Sequence, residues 1–100
     1  MKIEILQEAE VDLVDGFHFY EGQEAGLGWY FLDSLFSDVD SLIIYAGIHE
    51  KIYGYFRCLA KCFSFAVYYS VEEEIKRVHA VLDCRRNPSW IRENLTKHGQ

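Results

Sequence analysis

The sequence predicts an α+β fold with an N-terminal strand, a helical hairpin, a three-stranded antiparallel sheet and a short C-terminal helix. Apolar residues recur at three- and four-residue steps over residues 9–45, which is the spacing of amphipathic helices. After Gly47 the apolar residues alternate with polar ones, which is the spacing of strands. A length of 100 residues fits one domain, so we expect residues 1–100 to form a single folding unit.

The N-terminal half is predicted to form one strand and two helices. Residues 2–6 alternate weakly and predict a short first strand. A first helix is expected over residues 9–24, and a second from about residue 29 to residue 45. The glycine-containing residues 26–28 lie between them and predict the turn of a helical hairpin.

The C-terminal half predicts three consecutive strands, over residues 52–60, 63–71 and 75–82. A short link at residues 61–62 and an acidic turn at residues 72–74 are expected to join them. Since both connections are short, neighbouring strands should pair antiparallel.

Alternation divides the side chains of these strands between two faces, and we expect the helices to cover the more apolar face. The smaller, more polar face is expected to carry Arg57, Tyr68, His79 and Asp83. In the third strand, strict alternation separates His79 and Val81 from three apolar residues: Val78, Ala80 and Leu82. A last short helix over residues 89–97 is expected to follow Pro88.

The charge is distributed unevenly along the chain. The net charge of −6 disfavours a general nucleic-acid binder. Residues 1–47 contain ten acids and one cation, Lys2, so their net charge is −9. Residues 48–100 have a net charge of +3. An anionic partner is therefore expected to contact the second half.

The cysteine count and the N-terminus indicate a cytoplasmic protein with free thiols. The chain has 3 cysteines and an acidic start unlike a secretion signal. No apolar run approaches the roughly 20 residues that span a bilayer, so we expect no membrane segment. Zinc bound by the three cysteines and His79 is an alternative that the spacing from Cys58 to Cys62 disfavours, so we expect no metal or cofactor.

Four segments, taken in order, resemble the RelE/ParE toxin superfamily of bacterial toxin–antitoxin systems. Residues 20–31, YEGQEAGLGWYF, are similar to the family's Tyr-Glu, Gly-Leu-Gly and Phe segment across the helical hairpin. Residues 55–57, YFR, are similar to its arginine-bearing strand. Residues 61–69, KCFSFAVYY, are similar to its basic-Phe-Pro-Tyr-x-aliphatic-x-Tyr strand. Residues 78–88, VHAVLDCRRNP, are similar to its closing Val-Leu-His-x-x-Arg-Asp-Pro strand and turn.

The resemblance extends over roughly residues 2–92, with three departures that remove or offset positive charge near the presumed site. Asp83 stands where the family often has His, and Cys62 stands where a basic residue is common. Ser64 replaces the usual Pro. The whole chain is also acidic, whereas many toxins of this family are basic.

The resemblance implies a toxin that is neutralised by a cognate antitoxin, which would bind along the sheet edge or the helical hairpin. Members of the family either cleave messenger RNA in the ribosomal A site or bind and poison DNA gyrase. Whether this chain is an enzyme stays open; an active enzyme would be a ribosome-dependent mRNA endoribonuclease. The alternative is a non-toxic, degenerate or solitary relative that acts as a protein-interaction module.

RNA cleavage by a ribose 2′-hydroxyl needs a proton acceptor, a proton donor and cations around the phosphate. The candidate catalytic residues are Arg57, Arg85, Arg86 and His79, and the candidate substrate-binding residues are Lys61 and Tyr68. The resemblance supports Arg57 and one of Arg85 or Arg86 most directly. The acid–base set is incomplete, because arginine is a poor base and a carboxylate repels a phosphate.

Each candidate also has a structural alternative. For Arg57, a solvated cation or an ion pair with Asp83 is as expected as a role in the site. For Arg85 and Arg86, a polar turn is as expected as a role in the site. A histidine on a strand is more often a satisfied structural residue than a catalyst. Lys61 is more readily explained by solubility of the hairpin, and Tyr68 by packing.

Overall fold

The computed structural model describes residues 2–98, and within them the predicted α+β class and the order of the elements are confirmed. Between residues 2 and 98, five strands and four helices follow one another in the order β1, α1, α2, α3, β2, β3, β4, β5 and α4. The strands are β1 Lys2–Ile5, β2 Lys51–Ile52, β3 Tyr55–Leu59, β4 Phe65–Glu72 and β5 Ile75–Asp83. The helices are α1 Gln7–Gln23, α2 Leu27–Asp40, α3 Leu42–Tyr45 and α4 Pro88–His98.

The sheet has five strands in the order β1-β5-β4-β3-β2, so the prediction of a three-stranded sheet is wrong. Strand β1 joins its edge by pairing parallel with β5, and helices α1 to α3 with strands β2 to β4 form the long connection between the two. The first predicted strand of the C-terminal half is two strands. Tyr53 and Gly54 adopt positive φ angles of 52° and 88°, which form a tight hairpin turn between β2 and β3.

The two long helices pack as the predicted hairpin, but the turn between them lies earlier than predicted. Gly26 adopts a left-handed φ of 90°, and α2 begins at the next residue. The Glu21 carboxylate accepts hydrogen bonds from the backbone N–H groups of Gly26 and Gly28, at 3.0 and 2.9 Å. An acceptor on these N–H groups caps the start of α2, so Gly28 belongs to the helix and not to the turn.

The second helix is also interrupted, whereas one helix to residue 45 was predicted. The Ser41 hydroxyl donates a 2.6 Å hydrogen bond to the backbone carbonyl of Asp38. A serine side chain that binds a helical carbonyl competes with the backbone N–H groups that follow. The backbone of Ser41 stays right-handed helical, with φ −62° and ψ −20°, so α3 continues the path of α2 after this break.

Each face of the sheet has its own apolar core. Residues of α1, α2 and α3 cover one face, here called the helical-hairpin face, around Phe31, Leu35 and Tyr69. Helix α4 covers part of the opposite face, here called the α4 face, where Leu95 packs against the second apolar cluster. This cluster also contains Ala66, Tyr68, Ala80 and Leu82. The smaller, more polar face predicted from the sequence therefore also carries an apolar cluster, which the alternation did not predict.

A β-bulge in β5 changes the predicted alternation of the third strand. Tyr68 of β4 pairs with Ala80, but the next residue, Tyr69, pairs with Val78, so His79 is the extra residue. Val78 consequently joins the helical-hairpin core, while Ala80 and Leu82 join the α4 core. Strict alternation could not predict this shift, because one inserted residue exchanges the faces of everything before it.

Strand β1 pairs with only the first part of β5. Beyond the end of β1, the Asp12 side chain bonds to the backbone of β5. Ile5 pairs with Val78, and the chain then turns into α1. The Asp12 carboxylate of α1 accepts a 3.0 Å hydrogen bond from the backbone N–H of Val81. This bond satisfies a backbone donor at the open edge of β5 and fixes α1 to the sheet. No helix within residues 2–98 is long and apolar enough to cross a membrane.

Candidate functional site

Three of the six candidate residues, Arg57, Tyr68 and His79, lie on the α4 face of the sheet. Arg57 of β3 and Tyr68 of β4 stand directly opposite each other in the antiparallel register, so their side chains share a face. His79 reaches this face from the bulge in β5, where its ring lies 4.8 Å from the ring of Tyr55. The sheet therefore places three candidates from three neighbouring strands on one surface.

Arg57 is a half-buried cation with an acidic partner from outside the predicted site. Its guanidinium lies 3.6 Å from the Glu50 carboxylate, and its side chain is 30% exposed. The predicted pairing of Arg57 with Asp83 is wrong, because Asp83 binds Arg85. Glu50 is 72% exposed at its side chain, so this ion pair is screened by solvent and contributes little to stability.

Tyr68 is almost fully buried, at 2% exposure, beneath this surface. Burial raises the pKa of its hydroxyl, and hydrogen bonding and charge from Arg57 oppose that rise. The nearby Cys84 thiol also raises the pKa of Tyr68. In this conformation Tyr68 contacts Arg57 and the α4 core, so direct contact with a substrate would require α4 to move.

His79 is held by two residues that sequence reasoning missed, Ser70 and Tyr55. The Ser70 hydroxyl lies 2.7 Å from Nε2 of His79, and the Tyr55 ring packs against the imidazole. Tyr55 and Ser70 are on the same face as Arg57 and Tyr68, one alternation away along β3 and β4. Alternation along β3 and β4 already places Tyr55 and Ser70 on this face. Alternation does not reveal the bulge in β5 that brings His79 next to Ser70.

Arg85 is neutralised by Asp83 at the end of β5. Its backbone N–H and Nε lie 2.8 and 3.0 Å from Oδ1 of Asp83, and its Nη2 lies 2.8 Å from Oδ2. The side-chain hydrogen bond from Arg85 lowers the pKa of Asp83. Asp83 pairs with Phe65, which belongs to the helical-hairpin core, so the prediction that Asp83 lies on the Arg57 face is wrong.

Arg86 and Lys61 lie outside the strands, in the segments that follow β5 and β3. The Arg86 guanidinium stacks over the ring of Trp90, at 3.9 Å from its centroid, at the start of α4. Lys61 lies in the loop between β3 and β4, and its backbone N–H donates a 3.3 Å hydrogen bond to Asp38 of α2. This loop is longer than the predicted two-residue link, because β3 ends at Leu59 and β4 begins at Phe65.

The buried carboxyl of Asp38, which anchors the Lys61 loop, makes stability depend on pH. Burial raises its pKa above the ordinary 3.8 in the folded protein, although the Lys61 backbone and charge oppose the rise. The folded state therefore binds this proton more tightly than the unfolded state. Stability from this group is greatest while the carboxyl is protonated, and it falls as pH rises from about 3.8 through the raised pKa.

Asp38→Asn is expected to remove this dependence, because the amide keeps an acceptor for the Lys61 N–H and never ionises. Compared with the natural protein, the variant should become increasingly stable as pH rises from about 4 to 7. Urea unfolding midpoints of both proteins across that range measure the effect. A difference between the two midpoints that stays constant with pH would contradict the assignment.

A cleft of about 290 Å³ lies between α1, the end of β5 and the start of α4. It is lined by three carboxylates, one cation and several apolar side chains, including Asp12, Asp15, Asp83, Arg86, Phe19 and Trp90. This excess of carboxylates disfavours a phosphate-bearing substrate. Within residues 2–98 no three His, Cys, Asp or Glu side chains cluster as metal ligands.

The arrangement of strands and helices is shared with a solved structure. A chain of the chromosomal ParDE TA system from P. aeruginosa superposes with a TM-score of 0.70. The match covers 81% of this chain and 92% of that chain, at 14% sequence identity.

The chain has the fold of a chain from a ParDE TA system.

No protein-family model matches the sequence, and no curated protein is significantly similar to it. The resemblance seen in the sequence is thus confirmed at the level of the fold.

Within this fold, the six candidates have different partners. Arg57, Tyr68 and His79 share a face, but Arg85 is bound by Asp83 and Arg86 stacks on Trp90. Lys61 lies beside Asp38 at the end of α2. The α4 face therefore presents the Arg57 guanidinium, the His79 imidazole and aromatic side chains.

Proposed function

We propose that this protein is the toxin component of a type II toxin–antitoxin system, acts in the cytoplasm and is neutralised by a cognate antitoxin. The observation that carries the proposal is the RelE/ParE-type fold, shared at a TM-score of 0.70 with a chain of a ParDE TA system. The four sequence segments that resemble RelE/ParE toxins, in the same order along the chain, support it independently.

Within this proposal, the target is DNA gyrase and the chain binds it without cleaving RNA. Two features support binding over cleavage. One of the cations expected around a phosphate, Arg85, is neutralised by the adjacent Asp83. The net charge of −6 opposes a messenger-RNA substrate. Ribosome-dependent mRNA cleavage is the competing action.

A second candidate function is a non-toxic relative that retains the fold as a protein-interaction module. The ion pair between Asp83 and Arg85 favours it, because it offsets a cation where the resembling toxins carry basic residues. In that case the exposed surfaces bind a partner without harm to the host.

Expression of the protein alone in a bacterial host tests the proposal. Growth should stop on induction and resume when the small open reading frame beside the gene is expressed with it. The empty vector controls for induction, and a frameshifted copy controls for the RNA. Unhindered growth at high levels of folded protein would refute the toxin and leave the interaction module.

A further inference from the structure

The outward surface of α2 and α3 carries a stripe of alternating apolar and acidic side chains. The stripe consists of Trp29, Asp33, Phe36, Asp40 and Ile44 and is here called the α2 stripe. Its members are spaced by four, three, four and four residues, so they lie along one side of a helix. From Trp29 to Ile44 the helical path through α2 and α3 rises about 22 Å, or about four turns.

The apolar members of this stripe are far more exposed than the inward-facing apolar residues of the same helices. Trp29, Phe36 and Ile44 are 62%, 42% and 77% exposed. Inward-facing residues of the same helices, such as Phe31, Leu35 and Leu42, are fully buried in the helical-hairpin core. The helices thus bury one apolar side in the core and present a second one to solvent, as helices with a binding partner do.

The acidic members of the stripe have no salt-bridge partner in the part of the chain that the structure describes. No ion pair within residues 2–98 includes Asp33 or Asp40. Lys2 is the one cation in residues 1–47, and β1 carries it at the edge of the sheet. The carboxylates of Asp33 and Asp40 are therefore available to a partner of opposite sign.

We propose that the α2 stripe is the docking site for a cationic amphipathic helix, which the antitoxin supplies. This rests on the proposed function for the identity of the partner, and it adds the partner's chemistry and its place of contact. The partner helix would be about four turns long, with apolar residues against Trp29, Phe36 and Ile44. Lysine or arginine beside them would meet Asp33 and Asp40.

Charge selects this occupant over three others. A second copy of the chain, placed face to face by a twofold axis, would bring Asp33 and Asp40 against like charges. Nucleic acids and anionic lipid surfaces are repelled by the same two carboxylates. A cationic helix satisfies the apolar and the acidic members of the stripe together.

A synthetic peptide of about 18 residues, with leucine at three- and four-residue steps and lysine elsewhere, tests the site in purified protein. Calorimetric titration should show saturable binding that weakens with added salt. A peptide with glutamate in place of lysine should not bind. On binding, the emission of Trp29 should shift to the blue, and Trp29→Phe should remove that shift while the peptide still binds.

The matched pair of variants is Asp33→Lys with Asp40→Lys, and Glu73→Lys with Glu74→Lys. Both pairs change the net charge equally, but the second lies in the exposed turn between β4 and β5. The first pair should weaken peptide binding roughly tenfold or more, and the second should leave it nearly unchanged. Equal weakening by both pairs, or no binding of the cationic peptide, would overturn the proposed site.

The same variants separate this inference from the proposed function in cells. The variant with Asp33→Lys and Asp40→Lys should still arrest growth, but the neighbouring reading frame should no longer relieve the arrest. Arrest that is relieved as in the natural protein would overturn the docking site and leave the toxin intact. If the natural protein causes no arrest, the toxin proposal fails, whereas the peptide titration still decides on the docking site.

Discussion

Replacement of Gly28 by alanine is expected to destabilise the protein by about 2 kcal/mol or more. A Cβ at this position would lie 2.6 Å from the backbone carbonyl oxygen of Phe17 and 2.9 Å from Cβ of Glu21. Neither atom moves without shifting α1, so the clash would separate the two helices that cover the sheet. Urea unfolding of the purified variant measures the loss as a lower midpoint.

Gly22→Ala is the matched control, because it makes the same change in the helical hairpin without a neighbour. Nothing lies within 4 Å of a Cβ built on Gly22, which belongs to α1. Alanine there should stabilise the protein by about 0.5–1 kcal/mol, since it favours the helix. If both variants change stability in the same direction and by the same amount, the close approach of α1 and α2 at Gly28 is wrong.

Arg57→Ala is expected to abolish or strongly reduce growth arrest while the protein remains folded. Its ion pair with Glu50 is solvent-screened, so little stability should be lost. Loss of charged hydrogen bonds to a target costs about 1.5–3 kcal/mol, or roughly tenfold or more in affinity. The inducer concentration that halves the growth rate, read together with the protein's circular dichroism, measures both effects.

Two further substitutions are the controls for Arg57→Ala. Arg57→Lys keeps the charge but not the planar guanidinium, so it should restore arrest only partly. Arg92→Ala removes an exposed arginine from α4 and should leave arrest unchanged. Full toxicity of folded Arg57→Ala would show that the α4 face at Arg57 does not bind the target.

The order of elements was predictable from two local signals, the helical spacing and the strand spacing of apolar residues. The change of apolar spacing after Gly47 located the helices and strands, and helix and strand geometry fix those spacings. The parallel pairing of β1 with β5 was not predictable, since it joins segments about 70 residues apart. The extra hairpin turn at Tyr53 and Gly54 was also missed, because a tyrosine with positive φ is uncommon.

The candidate site was predicted less well than the fold. Alternation correctly placed Arg57 and Tyr68 on one face, because they pair directly in the sheet. It failed for Asp83, which pairs with Phe65 on the other face. The cover of this face by α4, which buries Tyr68 under Leu95 and its neighbours, depends on tertiary packing that a strand pattern does not contain.

The most direct measurement of how the protein acts uses cultures that express it alone. It combines transcript mapping with an SOS reporter in the same cultures. A gyrase-binding toxin predicts growth arrest with a strong SOS response and intact messages. The neutralisation of Arg85 by Asp83 and the net charge of −6 lead to that expectation. Cuts at A-site codons of translated messages, without an SOS response, would contradict it and identify a ribosome-dependent endoribonuclease.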